Sequence, residues 1–226
     1  MKITYYGHSC FGVTVNDKKI LFDPFISGNS LAKQVDVNKV EADYILLSHG
    51  HGDHLGDTLA IAKRTNATVV CSAEIENWLK KQGIKNTHGM NIGGKWKFDF
   101  GHVKCVVAVH SSSMPDGTYG GNPMGFIIES SQKNFYYSGD TALTYDMKLI
   151  GEYRKVDFAF LCIGDNFTMS VDNAIIASDF IKCDKIIGMH YDTFEMIKID
   201  KPAATERFKR ADKELTLIPI GETIEI

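Results

Sequence analysis

The sequence predicts an α+β protein in which helices cover mixed β-sheets, and three observations carry that prediction. Short apolar runs with strand character recur along the whole chain. Some are separated by stretches with helical spacing, while others follow one another across nothing more than a polar turn. Glycine-rich phosphate loops of the G-x-G-x-x-G or P-loop kind, which mark many doubly wound parallel sheets, are absent.

Taken in order, KITYYG, CFGVTVN and KKILFD read as strands, with a turn at Asn16-Asp17. ADYILLS is a short, fully apolar strand. Thr58–Arg64 starts a helix, ATVVCS follows as a strand, and Glu74–Gln82 has helical spacing ending at Gly83, a suitable helix stop. WKFDFG, VKCVVAVH, MGFIIES and NFYYSGD form a series of strands. The last third mixes strands (DFAFLCIGD and KIIGMH) with helices at Asp172–Ile181 and Ala203–Lys213, and closes with LTLIPIG and TIEI as a strand pair. Gly117–Gly125 reads as a hairpin or a substrate-side loop.

With 226 residues, 44% of them hydrophobic, the chain is long enough to bury a full core. No linker, low-complexity tract or repeat at solenoid period interrupts it, so one domain over residues 1–226 is expected. The formal net charge of −3 and the brevity of the basic runs argue against nucleic acid as a partner. No apolar stretch reaches the ~18–20 residues a membrane span needs. Five cysteines, odd in number and set in apolar runs, read as reduced core residues, and cytoplasmic location is the expectation.

The chemistry concentrates in LLSHGHGDHLGD, which places three of the eight histidines within six residues. Imidazoles so close repel when protonated and each needs a partner when buried, whereas a divalent cation accepts several neutral imidazoles and a carboxylate at once. In an extended segment His49 and His51 point the same way. Asp53 and His54 converge only if the chain turns, which Gly50 and Gly52 permit, so the stretch reads as a strand-to-helix loop offering two ligands to each of two ions. Further donors must come from elsewhere. Apolar strands end repeatedly in such residues: Asp23, His49, His110, Asp140, Asp165 and His190. Ligands gather at the carboxyl ends of strands in sheet-plus-helix proteins. His102, ahead of its strand, and His88, in the polar loop NTHGMN, are read as exposed or structural. Tyr5, Tyr6 and Phe11 are assigned to the core.

His49-x-His51-x-Asp53-His54, followed by His110, Asp140 and His190, resembles the metallo-β-lactamase superfamily in motif order across nearly the whole chain. The stretches YGHSCF, FDPFISGN, GNPMGFII, GDNFTM and HYDTF are similar to its small metal-dependent hydrolases, those related to ascorbate-phosphate lactonases and phospholipase-D-like members. The resemblance implies a four-layer αβ/βα sandwich, two β-sheets with helices on the outer faces and two metals at one edge. It further implies His49, His51 and His110 on one ion, Asp53, His54 and His190 on the other, and Asp140 between them. Two divalent ions per chain are expected, with zinc preferred for a thiolate-free, histidine-rich set and manganese, iron, nickel or cobalt able to use the same ligands. Members of this superfamily often associate, which makes a homo-oligomer an available state.

The expected function is hydrolysis of an ester-type bond, in a phosphoester, phosphodiester or lactone, by a water deprotonated at the two ions. With both carboxylates and that hydroxide counted, the site carries about +1 and favours a small anionic substrate. Asp53 is expected to take the proton of the attacking water. His8, Asn166 and Tyr191 are expected to line the pocket and assist, and Asp23 either shapes a turn or orients a histidine N–H. Two alternatives accompany this reading: a non-catalytic metal-binding protein, and a nuclease or phosphodiesterase acting on nucleic acid.

Overall fold

The computed structural model describes residues 1–226 as two seven-stranded sheets packed face to face. The first opens as an antiparallel meander of β1 (Lys2–Gly7), β2 (Cys10–Val15) and β3 (Lys18–Phe22) and continues with parallel strands β4 (Tyr44–Leu46), β5 (Thr68–Ser72) and β6 (Thr87–Met90). The second repeats the plan. Strands β7 (Lys95–Phe98), β8 (Gly101–Val107), β9 (Met124–Glu129) and β10 (Phe135–Tyr137) are antiparallel, and β11 (Phe158–Cys162), β12 (Lys185–Met189) and β13 (Glu214–Thr216) follow β10 in parallel. A final strand, β14 (Thr223–Glu225), returns to pair with β1.

The layering follows from side-chain alternation, since both faces of the central strands are buried. In β3, Ile20 and Phe22 enter the core shared by the two sheets, while Leu21 faces outward; in β5, Val70 points in while Val69 and Cys71 point out. The outward set meets Ile61 of α2 (Thr58–Thr65) and Ile75 and Leu79 of α3 (Ala73–Lys81). On the far side, α4 (Met147–Tyr153), α5 (Val171–Phe180) and α6 (Lys201–Arg210) supply Ile150, Ala177 and Phe208 to the large core. The order of layers is therefore helices, sheet, sheet, helices, the sandwich expected. No helix is long and apolar enough to cross a membrane.

Local chemistry explains the boundaries. Asn16 and Asp17 both take positive φ, 48° and 62°, the geometry that lets a two-residue hairpin match strand twist. Ser72 caps α3 by accepting from Ile75 N, and Gly83 follows its end at φ +83°. Asp200 caps α6 through Ala203 N.

Four expectations need correction. LTLIPIG and TIEI do not pair with each other: β13 lies beside β12 in one sheet and β14 beside β1 in the other. Each sheet has an edge strand that needs a neighbour, and the turn at Pro219–Gly221 carries the chain between them. His88 belongs to β6, an edge strand, where it packs against Trp96 and Phe98. Asp53 and His54 lie inside a short helix, α1 (Gly52–Leu55), rather than in a loop ahead of the first helix. The helix α4 carries no strong sequence signal and was not expected. The glycine-rich segment does form a small hairpin, bridged at Ser113 and Tyr119.

Candidate metal centre

One edge of the sandwich gathers the chain's unusual side chains, because the strands on that edge end there. Asp23 follows β3; Ser48 and His49 follow β4, and His51 caps the N-terminus of α1, which holds Asp53 and His54. His110 follows β8, Asp140 follows β10 and His190 follows β12, while His8 sits in the bend between β1 and β2. Gly50 is needed where it is: a Cβ there would come within 2.6 Å of Met114 Sδ and 3.3 Å of Ser113 O. That close approach lets Gly50 N donate to Ser112 Oγ at 3.1 Å, which anchors the histidine loop. His8, Asp23 and His190 take left-handed φ values of 56°, 39° and 57°. For residues other than glycine this costs about 1 kcal/mol or more each, and such strain is kept where a site demands it.

The donors fall into two sets, each with its ligand atoms within 4.8 Å of one another: His49, His51 and His110, and His8, Asp53, His54 and His190. In the first, His49 Nε2 and His51 Nδ1 converge to 2.9 Å. In the second, His8 Nε2 lies 3.2 Å from Asp53 Oδ2. Asp140 Oδ2 touches both sets, at 2.9 Å from His190 Nε2, 3.2 Å from His54 Nε2 and 3.6 Å from His110 Nε2.

Asp23 decides which imidazole nitrogens are free. Fully buried, it accepts from Ser48 N at 2.8 Å, Ser48 Oγ at 2.6 Å, Tyr137 OH at 2.8 Å and His54 Nδ1 at 2.8 Å. His54 thus spends its Nδ1–H on Asp23 and turns Nε2 toward Asp140. Ser48, having given its hydroxyl hydrogen to Asp23, accepts from His49 Nδ1 at 2.9 Å, which leaves His49 Nε2 as a lone pair. A third geometric grouping of Asp23, His49 and His54 exists. Its carboxylate is already consumed by these four bonds, so Asp23 orients rather than ligates.

Burial pushes His49 well below the usual imidazole range and lowers His51 and His110 too. Burial, reinforced by His190, pushes His8 down to about 4. His54 behaves oppositely: burial opposes its charge, but Asp140 and Asp23 outweigh it and hold the pKa well above the ordinary value. Burial would raise Asp140, yet His190 and His54 keep it well below the carboxylate range. Burial would raise Asp53 too, but the neighbouring His8 and His54 imidazoles hold it below the carboxylate range. His8, His49, His51 and His110 are thus held neutral beside ionised carboxylates, and a divalent cation would take the place of the proton that Asp140 and Asp23 favour on His54.

Unpartnered buried atoms test the fit. His8 Nε2, His54 Nε2 and Asp140 Oδ1 are buried without any hydrogen-bond partner. Such orphans are rare in folded proteins, and here the two imidazole nitrogens belong to one converging set of ligand atoms, with Asp140 against it. The residues present therefore fit divalent ions.

His49, His51, Asp53, His54, His110, Asp140, His190 and His8 are all brought together. Asp165 and Asn166 are not; they are exposed and line a neighbouring groove of about 520 Å³ with Ser170, Lys198 and Arg207. Tyr191 is buried in the core beside Tyr5, ring centroids 6.4 Å apart, with Lys201 Nζ over its ring. His102 lies at the start of β8, away from both sets. Sequence reasoning missed Ser48, Tyr137 and Thr193. Ser48 carried a usable signal, as a hydroxyl directly before the first ligand; the other two carried none.

Two face-to-face mixed sheets with a histidine–carboxylate cluster at one edge define a class of metal-binding proteins. Residues 18–191 match the Beta-lactamase superfamily domain. The chain is 58% identical over its full length to a UPF0173 metal-dependent hydrolase of Flavobacterium johnsoniae, covering all of that protein, and 48% identical to another from Methylacidiphilum infernorum, with 99% of both chains covered. It is also similar to the solved structure of Igni18, a metallo hydrolase of the archaeon Ignicoccus hospitalis, with TM-score 0.89, 34% identity, and 100% and 98% of the two chains covered. This chain belongs to the β-lactamase superfamily and, within it, to the UPF0173 metal-dependent hydrolases.

Proposed function

We propose that the protein is a binuclear hydrolase that cleaves an ester-type bond, a phosphoester, phosphodiester or lactone, in a small anionic substrate. The observation that carries this reading is Asp140, whose single Oδ2 lies against His54 and His190 of one donor set and His110 of the other. One ion would be held by His49, His51 and His110 and the other by Asp53, His54 and His190, with Asp140 shared. Zinc fits this set best, and manganese, iron, nickel or cobalt could use the same donors. Bound divalent ions lower the pKa of water to near 7 and polarise the bond under attack.

The chain's own residues do the rest. Asp23 and Ser48 hold the rings of His54 and His49 in the tautomers that leave Nε2 free. Asp53 retains 28% side-chain exposure, so one carboxylate oxygen can meet solvent and accept a proton released there. The groove carries mixed charge, Asp165 and Asp200 with Lys198 and Arg207, the two cations paired with Glu195 and Asp172, and it would present the Asn166 amide to a substrate oxygen. Tyr191 acts through position, backing Tyr5, whose hydroxyl donates to His8 O at 3.1 Å. Five buried free cysteines support residence in a reducing compartment such as the cytoplasm.

The test is elemental analysis of metal-free protein reloaded with each ion, followed by phosphodiester, lactone and thioester substrates assayed with zinc and with manganese. Close to two ions per chain, together with turnover of a phosphodiester or lactone, is the expected result. One ion or none after reloading would overturn the binuclear reading.

A further inference from the structure

The second donor set has four members to the first set's three, and the member not yet given a ligand role is His8. Its ring is fully buried and its backbone is held at φ +56°. Two donors fix its carbonyl: His190 N at 2.9 Å and Tyr5 OH at 3.1 Å. The rings of Phe25 and Phe194 stand edge-on to it at 5.7 and 5.6 Å, and the His190 ring lies 4.2 Å away. An imidazole clamped on every side in a strained conformation is being held for its nitrogen.

The tautomer follows from Thr193. His8 Nδ1 lies 3.0 Å from Thr193 Oγ1, and that hydroxyl donates to Tyr191 O at 3.4 Å. With its hydrogen so committed, Thr193 Oγ1 accepts from His8 Nδ1, and Nε2 carries the lone pair. His8 Nε2 is buried, has no hydrogen-bond partner, and falls within 4.8 Å of the ligand atoms of Asp53, His54 and His190. Asp53 Oδ2, only 3.2 Å away, is itself an acceptor, so two lone pairs face one point. A cation between them resolves that arrangement.

We infer that His8 Nε2 is a direct ligand of the second ion, in addition to Asp53, His54 and His190. This rests on the two-ion reading above. The second position then has four protein donors of its own and the first has three, with Asp140 shared by both, so the first is the more open of the two. Loading is ordered accordingly: the position with more donors fills first and releases its ion last.

The experiment uses full-length protein stripped of metal and reloaded with cobalt(II), whose unpaired electrons shift the N–H protons of coordinated imidazoles far from other signals. His8→Asn keeps the left-handed backbone accessible and leaves an amide able to donate to Asp53, but removes the imidazole. In the wild type, one shifted, exchangeable imidazole signal moves on Thr193→Val while the rest hold, which assigns it to His8. In His8→Asn that signal is lost and affinity for one cobalt falls at least about 10-fold, with the other unchanged. If the wild type binds two ions but no shifted signal responds to Thr193→Val, or if His8→Asn takes up both with wild-type affinity, His8 is a hydrogen-bond donor to Asp53 and the inference fails. The Thr193→Val comparison decides the point even if His8→Asn does not fold. A wild type that binds a single ion overturns the two-ion reading, and the presence or absence of the His8 signal in that state still decides His8 on its own.

Discussion

Asp140 and Glu129 are both buried carboxylates, and they stand at opposite ends of the sandwich. Glu129 ends β9, which runs antiparallel to β10 and so away from the metal centre. The chain itself satisfies it: Lys95 Nζ lies 2.7 Å from Oε1, Tyr153 OH donates to the same oxygen at 2.9 Å, and Arg154 meets Oε2. Asp140 has imidazoles around Oδ2 and nothing on Oδ1. Burial of charge is common to both ends. The difference is whether the protein supplies the neutralising partners or leaves atoms open for an ion from outside, and the second condition is what marks a functional end.

Substitutions at the two ends should therefore separate metal loss from stability loss. Asp140→Ala carries the largest expected effect, a fall in turnover of more than about 100-fold with loss of ions per chain, read by steady-state kinetics and elemental analysis. Retention of both ions would erase the contrast between the two carboxylates. Asp23→Asn comes next. It disturbs two imidazoles at once without removing a ligand, and metal affinity should fall about 10- to 100-fold by competitive chelator titration.

Glu129→Gln should leave metal content unchanged and cost about 2 kcal/mol of stability at neutral pH, since it removes charge-assisted bonds to buried oxygens. Burial alone would raise the Glu129 carboxyl, but its bonds to Lys95, Arg154 and Tyr153 hold it at about 2 in the folded protein, against about 4.3 unfolded. A folded pKa below the unfolded one gives stability that is full above the unfolded value and lost as pH falls toward the folded one. The gap between wild type and Glu129→Gln in thermal unfolding should thus be constant above about pH 5 and close between about pH 4 and 2. A gap that persists at pH 2 would assign the loss to packing. The smallest effect is expected at the groove: Asn166→Ala should raise KM about 5-fold with kcat and metal content unchanged, the loss of one neutral hydrogen bond.

Much of this was legible in local pattern. Leu46–His54 carries four potential ligands whose spacing already requires a turn, and Asp23, His110, Asp140 and His190 each follow an apolar run. What pattern could not separate were residues of the same kind in the same position. Asp165 also follows an apolar run, yet it faces the groove, and its neighbour Asn166 goes with it. The closing strands look like a hairpin because each is short, apolar and near the other; their partners, β12 and β1, are remote in sequence and belong to different sheets.

The sequence by itself determined the alternation that buries both faces of the central strands, the placement of donors at strand ends and the type of each donor, because these depend on residue identity and on periods of two or a few residues. Only the tertiary structure decided that His8 joins Asp53, His54 and His190 and that Asp23 turns two imidazoles at once. Each of those facts is a contact between residues tens to nearly two hundred positions apart. A lone pair is free or occupied according to which hydrogen-bond partner arrives from elsewhere in the chain, as Thr193 does for His8.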